Sequence, residues 1–575
     1  MKKITFLFSL FFFISYSFAQ NEFTTIWKPG NSGLVVYVGN QPSHSTSSQI
    51  YFPGVGTNYT ISWEEVGFPS HNGILNNVTS TLGNAVLIDF GTPFNPNSTL
   101  ATYNVKVSNG SGNFSQMVFS SEEPSNDYGD TQKILDIVQW GDINWKKLQF
   151  VYCIYLDCTA NDNPIFLPAS NLSYLFYYCE KLKATPQINN WNTANVTDMS
   201  YAFYNANLFN QSISNWNTQN VTNMSTMFFS ADIFNQDITD WDTSKVTNMS
   251  YMFAGALAFN QNIGKWNTSN VTDMSHMFKT SGLNQSLNNW DTSKVTNMEL
   301  MFYNSNVFNG DIGNWNTSSV TNMNGMFLLA LIFNKPIGNW NTSNVTNMSS
   351  MFYIASSFNQ PIGNWDISKV TNTSNMFSVA ATFNQNIENW NTSNVTDMSL
   401  MFFDAIAFNQ NLGKWSLPKI NNAYYMLYNT ALDCVNYDKT LIGWANNIST
   451  PNNINFGNAT PLIYSSNGAV TARDFLINTK NWLFEGDIYN PTCTLGVSSS
   501  TGSPDLTLYP NPVKDYINFS ADINEISIYD SSGKLIMTKK VTGNAVDVSS
   551  LLPGNYIIKI ISKDEKSYLK RIIKY

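Results

Sequence analysis

The sequence predicts a mainly β protein with short helices, organised around a parallel stack of 25-residue coils. Two observations predict it. Tryptophan recurs at 191, 216, 241, 266, 290, 315, 340, 365, 390 and 415, always 25 residues apart except for one interval of 24. A fixed period of roughly 20–50 residues marks units too small to bury their own apolar face, which stack to build a shared core. The flanks supply the second observation. "GLVVYV", "TNYTISWEEV", "AVLIDF" and "TYNVKVS" are short β-prone runs separated by Gly, Pro and Asn, as in a sandwich-like module.

Taken in order, residues 1–19 read as a signal peptide. Lys2 and Lys3 precede an apolar run over 4–14, and the small residues Ser17 and Ala19 place cleavage between Ala19 and Gln20. That run is too short to span a bilayer, and no later stretch is apolar enough to do so. No Cys follows the run, which argues against a lipid anchor. Residues 20–125 form the N-terminal β module. It resembles a PKD-like sandwich, with Trp63-Glu64-Glu65 standing where that family carries W-G-D-G. Residues 126–188, including "ILDIVQWGDINWKKLQFVYC", are expected to cap the open edge of the stack and supply the first atypical coils. The ten repeats occupy 189–431. A C-terminal cap with two helices follows over 432–493, where Tyr437, Leu441 and Trp444 share one helical face. A Ser/Gly linker (494–504) leads to a β tail, 505–575.

Within a repeat two periodicities separate. Met224, Met227, Phe228 and Ala231 lie at i, i+3, i+4 and i+7, which predicts a two-turn helix. Asn223 precedes them, and Asp198, Asp273 and Asp397 hold the same place elsewhere, so each is an expected N-cap. Ile213 and Val221 belong to extended stretches, with a short strand near Ile-x-x-Trp. Stacked in parallel at roughly 4.8 Å, ten coils make a rod about 50 Å long. The Trp column is expected to be core. The Asn column (210, 235, 260, 284, 309, 334, 359, 384 and 409) is expected to satisfy backbone left open at the turns.

"WDTSKVTNMSYMF" closed by "FNQ" resembles the BspA-type leucine-rich-repeat surface proteins over roughly 130–430. The resemblance implies a leucine-rich-repeat-like parallel solenoid, displayed outside the cell and binding host or matrix ligands; it supplies no catalytic residue. In the tail, "LYPNPVKDYI", "YDSSGKLI", "LLPGNYIIKI" and "LKRIIKY" resemble the type A sorting domain of the type IX secretion system. That resemblance implies a β-sandwich recognised by the secretion machinery, and a secreted, surface or extracellular protein of a Gram-negative bacterium.

Charge and composition exclude several classes. The chain carries a net charge of -9 with only 12% charged residues, and lacks the basic footprint that nucleic acid demands. The tail alone is basic, with ten Lys and Arg against eight Asp and Glu. Three histidines, no CxxC, no HExxH and no phosphate-cradling Gly-rich loop leave no expected metal, cofactor or catalytic site. His276 stands alone and is expected to be solvated; Asp89, Asp127 and Asp130 are expected to be exposed. Of five cysteines, Cys434 and Cys493 are placed to bridge the C-terminal cap, and small buried thiols are the alternative. Two functional readings remain. One is a non-catalytic binding or adhesion scaffold for protein or matrix ligands. The other is a glycan-binding module using the Trp and Asn ladder. Ligand discrimination must come from positions that differ between coils, and Leu328, Leu329 and Leu331 of "LLALI" either pack against a neighbouring module or are the candidate surface.

Overall fold

In a computed structural model the chain is mainly β with few helices. The structure describes residues 21–32, 36–38, 41–120, 129–493, 508–509, 511, 513–530, 535–563 and 567–574. The expected signal peptide with its Ala19–Gln20 site, Asp127 and the expected linker 494–504 lie outside the described residues. Two compact units are formed, Met1–Thr494 and Leu495–Tyr575.

In the first unit, strand Gly54–Glu65 pairs antiparallel with Phe68–Ser80 along one edge. Along its other edge run Tyr103–Ser108 and Asn113–Val118 in succession, also antiparallel. From there the sheet branches. Phe23–Trp27 and then Ile134–Gln139 extend it antiparallel from Tyr103–Ser108. Asn113–Val118 instead takes Asn144–Gln149 in parallel, followed by Ile165–Asn171 and Val196–Asp198. The same parallel ladder then continues as single bridges from Asp198 to Asn223, Asn248, Asp273 and onward to Asn422. The sheet therefore does not break at 125/126: the N-terminal module and the coils share one sheet and one apolar core. A polar lock ties the module down. Lys133 Nζ donates to Ser45 Oγ, Thr46 O and Gln49 O, and Asp130 accepts from Ser45 and from the Tyr51 N–H. Asp130, expected at the surface, is fully buried, and burial pushes its carboxyl above the usual range.

The repeats differ from expectation in two ways. No helix forms after the Asn/Asp; the segment is a run of turns. Met227, Phe229 and Ala231 donate to the carbonyls three residues back, while Met224, Thr226, Phe228 and Ser230 donate to Asn248, Ser250, Met252 and Ala254 of the next coil. Alternate N–H groups thus close a turn and tie two coils together. A helix would spend nearly all of them within its own coil and leave the stack held by side chains alone. The cost is a left-handed residue at every fourth place, here Thr226 (φ 60°) and Ser230 (φ 49°), recurring even at β-branched Ile354 (φ 61°) and Val379 (φ 58°). The expected N-caps act as Asx turns, with Asn223 Oδ1 accepting from Ser225 and Asp273 Oδ1 from Ser275. The expected strand at Ile-x-x-Trp is also a turn, closed by Trp216 N–H on the Ile213 carbonyl.

Side-chain ladders fill the coils. Trp315 lies between Trp290 and Trp340, with centroids 6.3 and 6.0 Å away and planes within 5°. Its Nε1 donates to the Leu287 carbonyl of the preceding coil at 2.8 Å. A double row of Phe runs beside it, Phe327 against Phe333 at 4.1 Å and against Phe352 at 5.5 Å. Each column Asn accepts the next one's N–H on its Oδ1, as Asn359 N–H to Asn334 Oδ1 at 3.0 Å, and Gln360 Nε2 adds a second bond at 2.9 Å. Stacking is close at the glycine of "IGNW", a place where other coils carry Ser214, Thr239 or Glu388. A Cβ on Gly338 would stand 2.4 Å from the Pro361 carbonyl oxygen.

Helices α1 (Cys434–Asn446) and α2 (Asn467–Asn478) close the stack, capped by Asp433 and Ser466. Trp444 donates to Leu412 O, continuing the Trp–carbonyl series into the cap. Cys434 and Cys493 are bonded, with Sγ atoms 1.99 Å apart; Cys153, Cys158 and Cys179 are buried thiols outside that disulfide. The second unit is an antiparallel sheet around its own core, including Ile517, Phe519, Ile526, Ile558 and Ile560.

Candidate ligand surface on the turn face

The turn run points Met, Met, Phe and Ala inward, which leaves three variable columns, the residue before the second Met and the two after the Phe, half-buried in most coils and buried at Thr226, Ala254, Ile354, Ser378 and Val379. Their contents change from coil to coil. Across the ten repeats the only formal charges in these columns are Lys279 and Asp404. At the N-terminal end the columns are aromatic. Tyr174 stacks on Tyr201 at 4.6 Å and 3°, Tyr177 on Tyr204 at 4.6 Å, and Tyr204 on Phe229 at 4.6 Å. These rings are half-buried, and desolvation pushes the Tyr204 phenol up to about 12. Because the rings stack along the coil axis, they cover one another's faces.

Farther along stand Leu300, Tyr303, Leu328, Leu329 and Tyr353, and then Phe403, Tyr425 and Tyr428 near the cap. Gly325 leaves room for the Leu300 side chain, whose tip a Cβ would meet at 2.5 Å. His276 is not solvated but half-buried, stacked on Tyr251 at 4.0 Å. Burial first and Lys279 second push its imidazole down to about 4, so it is neutral near pH 7 and adds no charge to the face. An aliphatic seam borders these columns: Leu208, Ile233, Leu257, Val307, Ile332 and Ile406 are each 43–59% exposed.

Three stretches of the chain, residues 170–283, 279–378 and 356–462, match the family described as Mycoplasma protein of unknown function, DUF285, and together span just over half of the sequence. The chain belongs to this family. Residues 507–575 match a secretion system C-terminal sorting domain. Neither a curated protein nor a solved structure matches the chain.

Within the DUF285 repeats the structure separates the residues singled out in the sequence. Leu328 and Leu329 lie half-buried on the turn face, whereas Leu331 is buried at 8% exposure and Ile332 takes the open place beside it. The three leucines therefore do not form one outward patch, because an aliphatic side chain that can turn inward at a coil corner gains by doing so. Trp315, like most of its column, is 3% exposed and offers no ring face to a sugar. The Asn column spends its acceptors on the next coil. Sequence reasoning missed the aromatic rows because the rings meet across coils, a neighbour relation that one repeat read alone does not show. The signal that could have found them is the Tyr content of "YLFYY" and "SYAFY".

Proposed function

We propose that this is an exported, non-catalytic binding scaffold of the BspA-like, solenoid type, and that the turn face is its ligand surface. The observation that carries the reading is the contrast between columns. Trp, Phe, Met and Asn repeat because they build the frame, while the turn-face columns vary, bear almost no charge and are rich in Tyr, Phe and Leu, the composition of a protein-binding patch. The sorting tail supports export through the type IX machinery to the cell surface or beyond. Protein or matrix ligands fit the face better than glycans, because its rings are stacked on one another and the Trp column is covered.

The test is retention of ligands from an array of matrix proteins and glycans by the full exported chain and by Leu328→Asp/Leu329→Asp. Asp tolerates the left-handed backbone at 329 (φ 61°) better than Leu, so the variant should keep its melting temperature. Loss of at least tenfold in affinity for a captured protein is expected. Unchanged binding would remove this stretch from the surface. A second result follows from the tail: deletion of 505–575 should leave a folded protein in the periplasm, and normal surface display of that truncation would defeat the sorting assignment.

A further inference from the structure

The ten-stranded sheet ends on one side at strand Phe68–Ser80. Gly54–Glu65 occupies one edge of that strand. Among the described residues no backbone group bonds to its other edge, and the one side-chain bond to its main chain is Asn72 Nδ2 on the Pro69 carbonyl. At the opposite end of the stack the last coil is covered, with Tyr425 and Asn429 donating to Phe456 and Thr460 of the C-terminal cap.

An open edge is normally guarded by Lys, by Pro or by bulges, because its free N–H and C=O groups are a template for another strand. The thirteen residues "FPSHNGILNNVTS" contain no Asp, Glu, Lys or Arg. Pro69, the left-handed Asn77 (φ 54°) and shifts of register against Gly54–Glu65 interrupt the strand toward either end. Between them, Asn72, Gly73, Ile74 and Leu75 keep regular register with Glu64, Trp63, Ser62 and Ile61. Gly73 is dictated from within, since a Cβ there would lie 2.6 Å from the Trp63 indole. The solvent-facing side chains of this stretch are Asn72, Ile74 and Asn76, all exposed, with Ile74 at 60%. They read the same in both directions about Ile74.

We propose that this edge pairs with the same edge of a second copy of the chain, antiparallel about Ile74. A two-fold contact requires a surface complementary to itself, and this one is. Ile74 meets its own twin, and Asn72 meets the partner's Asn76, amide to amide with both donors and acceptors available. No like charges come opposite one another, the arrangement that would otherwise repel. The contact lies on the sheet edge and is independent of the turn face.

The experiment is light scattering on the full exported chain, with Ile74→Lys and Ile74→Cys beside it. A mass of two chains is expected, falling to one in Ile74→Lys, where two ammonium groups would face each other. Mild oxidation should cross-link Ile74→Cys into a covalent dimer while Leu87→Cys, 46% exposed on another strand, forms no covalent dimer. A wild-type chain that remains monomeric at its highest soluble concentration overturns the proposal. So does a dimer indifferent to Ile74→Lys, or a monomer that pairs with foreign extended peptides instead. Should Ile74→Lys fail to fold, the cross-linking pattern still decides, because Cys153, Cys158 and Cys179 are buried and do not compete.

Discussion

Trp315→Ala should destabilise the first unit by about 3–5 kcal/mol, the range for deleting a buried aromatic. Three losses combine at this position. The indole is 3% exposed, so its whole apolar area returns to water or leaves a cavity. Its stacking contacts with Trp290 and Trp340 vanish together, opening the column on both sides. The Leu287 carbonyl loses its indole donor and keeps only the Trp290 N–H, so one buried hydrogen bond is lost as well. Trp315→Phe should recover the area but not the hydrogen bond, and so fall between. Urea unfolding followed by circular dichroism reads all three proteins. An alanine variant as stable as wild type would mean that the column is not core, and would return the Trp ladder to the list of ligand surfaces.

Asp487→Ala should cost a similar amount, about 3–5 kcal/mol, as expected when one partner of a buried ion pair is removed. The Asp487 side chain is fully buried and takes both Arg473 Nε at 2.8 Å and the Arg473 terminal nitrogen at 2.7 Å, with the Tyr437 hydroxyl at 3.0 Å. Tyr437 is itself buried, and desolvation with the adjacent carboxylate holds its phenol far above the ordinary range. The cluster joins α1 and α2 to the last strands of the cap, so its loss exposes the end of the stack. Removing the carboxylate leaves a guanidinium stranded against Tyr464 and Phe484. The double variant Arg473→Met/Asp487→Leu should regain most of the loss, because a well-packed apolar pair needs no desolvation. If the double variant is as unstable as Asp487→Ala, packing rather than the stranded charge is responsible.

Much of the architecture was legible in the residues, and the reason is the repeat itself. Ten Trp at one spacing leave little choice but stacked coils. Inward placement of Met224, Met227, Phe228 and Ala231 followed from periodicity, and all four are fully buried. The element type did not follow. The pattern i, i+3, i+4, i+7 is met equally by a helix and by a run of turns, since both turn the same residues inward. What separates them is where alternate N–H groups find acceptors, and those acceptors lie 24 residues away on the next coil. The Asn and Asp at 223 and 273 carried the right chemistry for either outcome, since Asx turns and N-caps use the same oxygen.

The outward positions show the same limit. That Leu328 and Leu329 lie on a variable face was readable, but the burial of Leu331 beside an exposed Ile332 depends on how one corner packs. Likewise the boundary at 125/126 looked like a module junction from composition, while the sheet runs through it because Asn113–Val118 offers a free edge to Asn144–Gln149. By itself the sequence determined the period, the inward columns, the sparse charge and the sorting tail, all of which are properties of residue type and spacing along one chain. Only the tertiary structure decided turns over helix, half-burial of the Tyr rows and one shared sheet, because each depends on hydrogen-bond acceptors and neighbours supplied by a different coil.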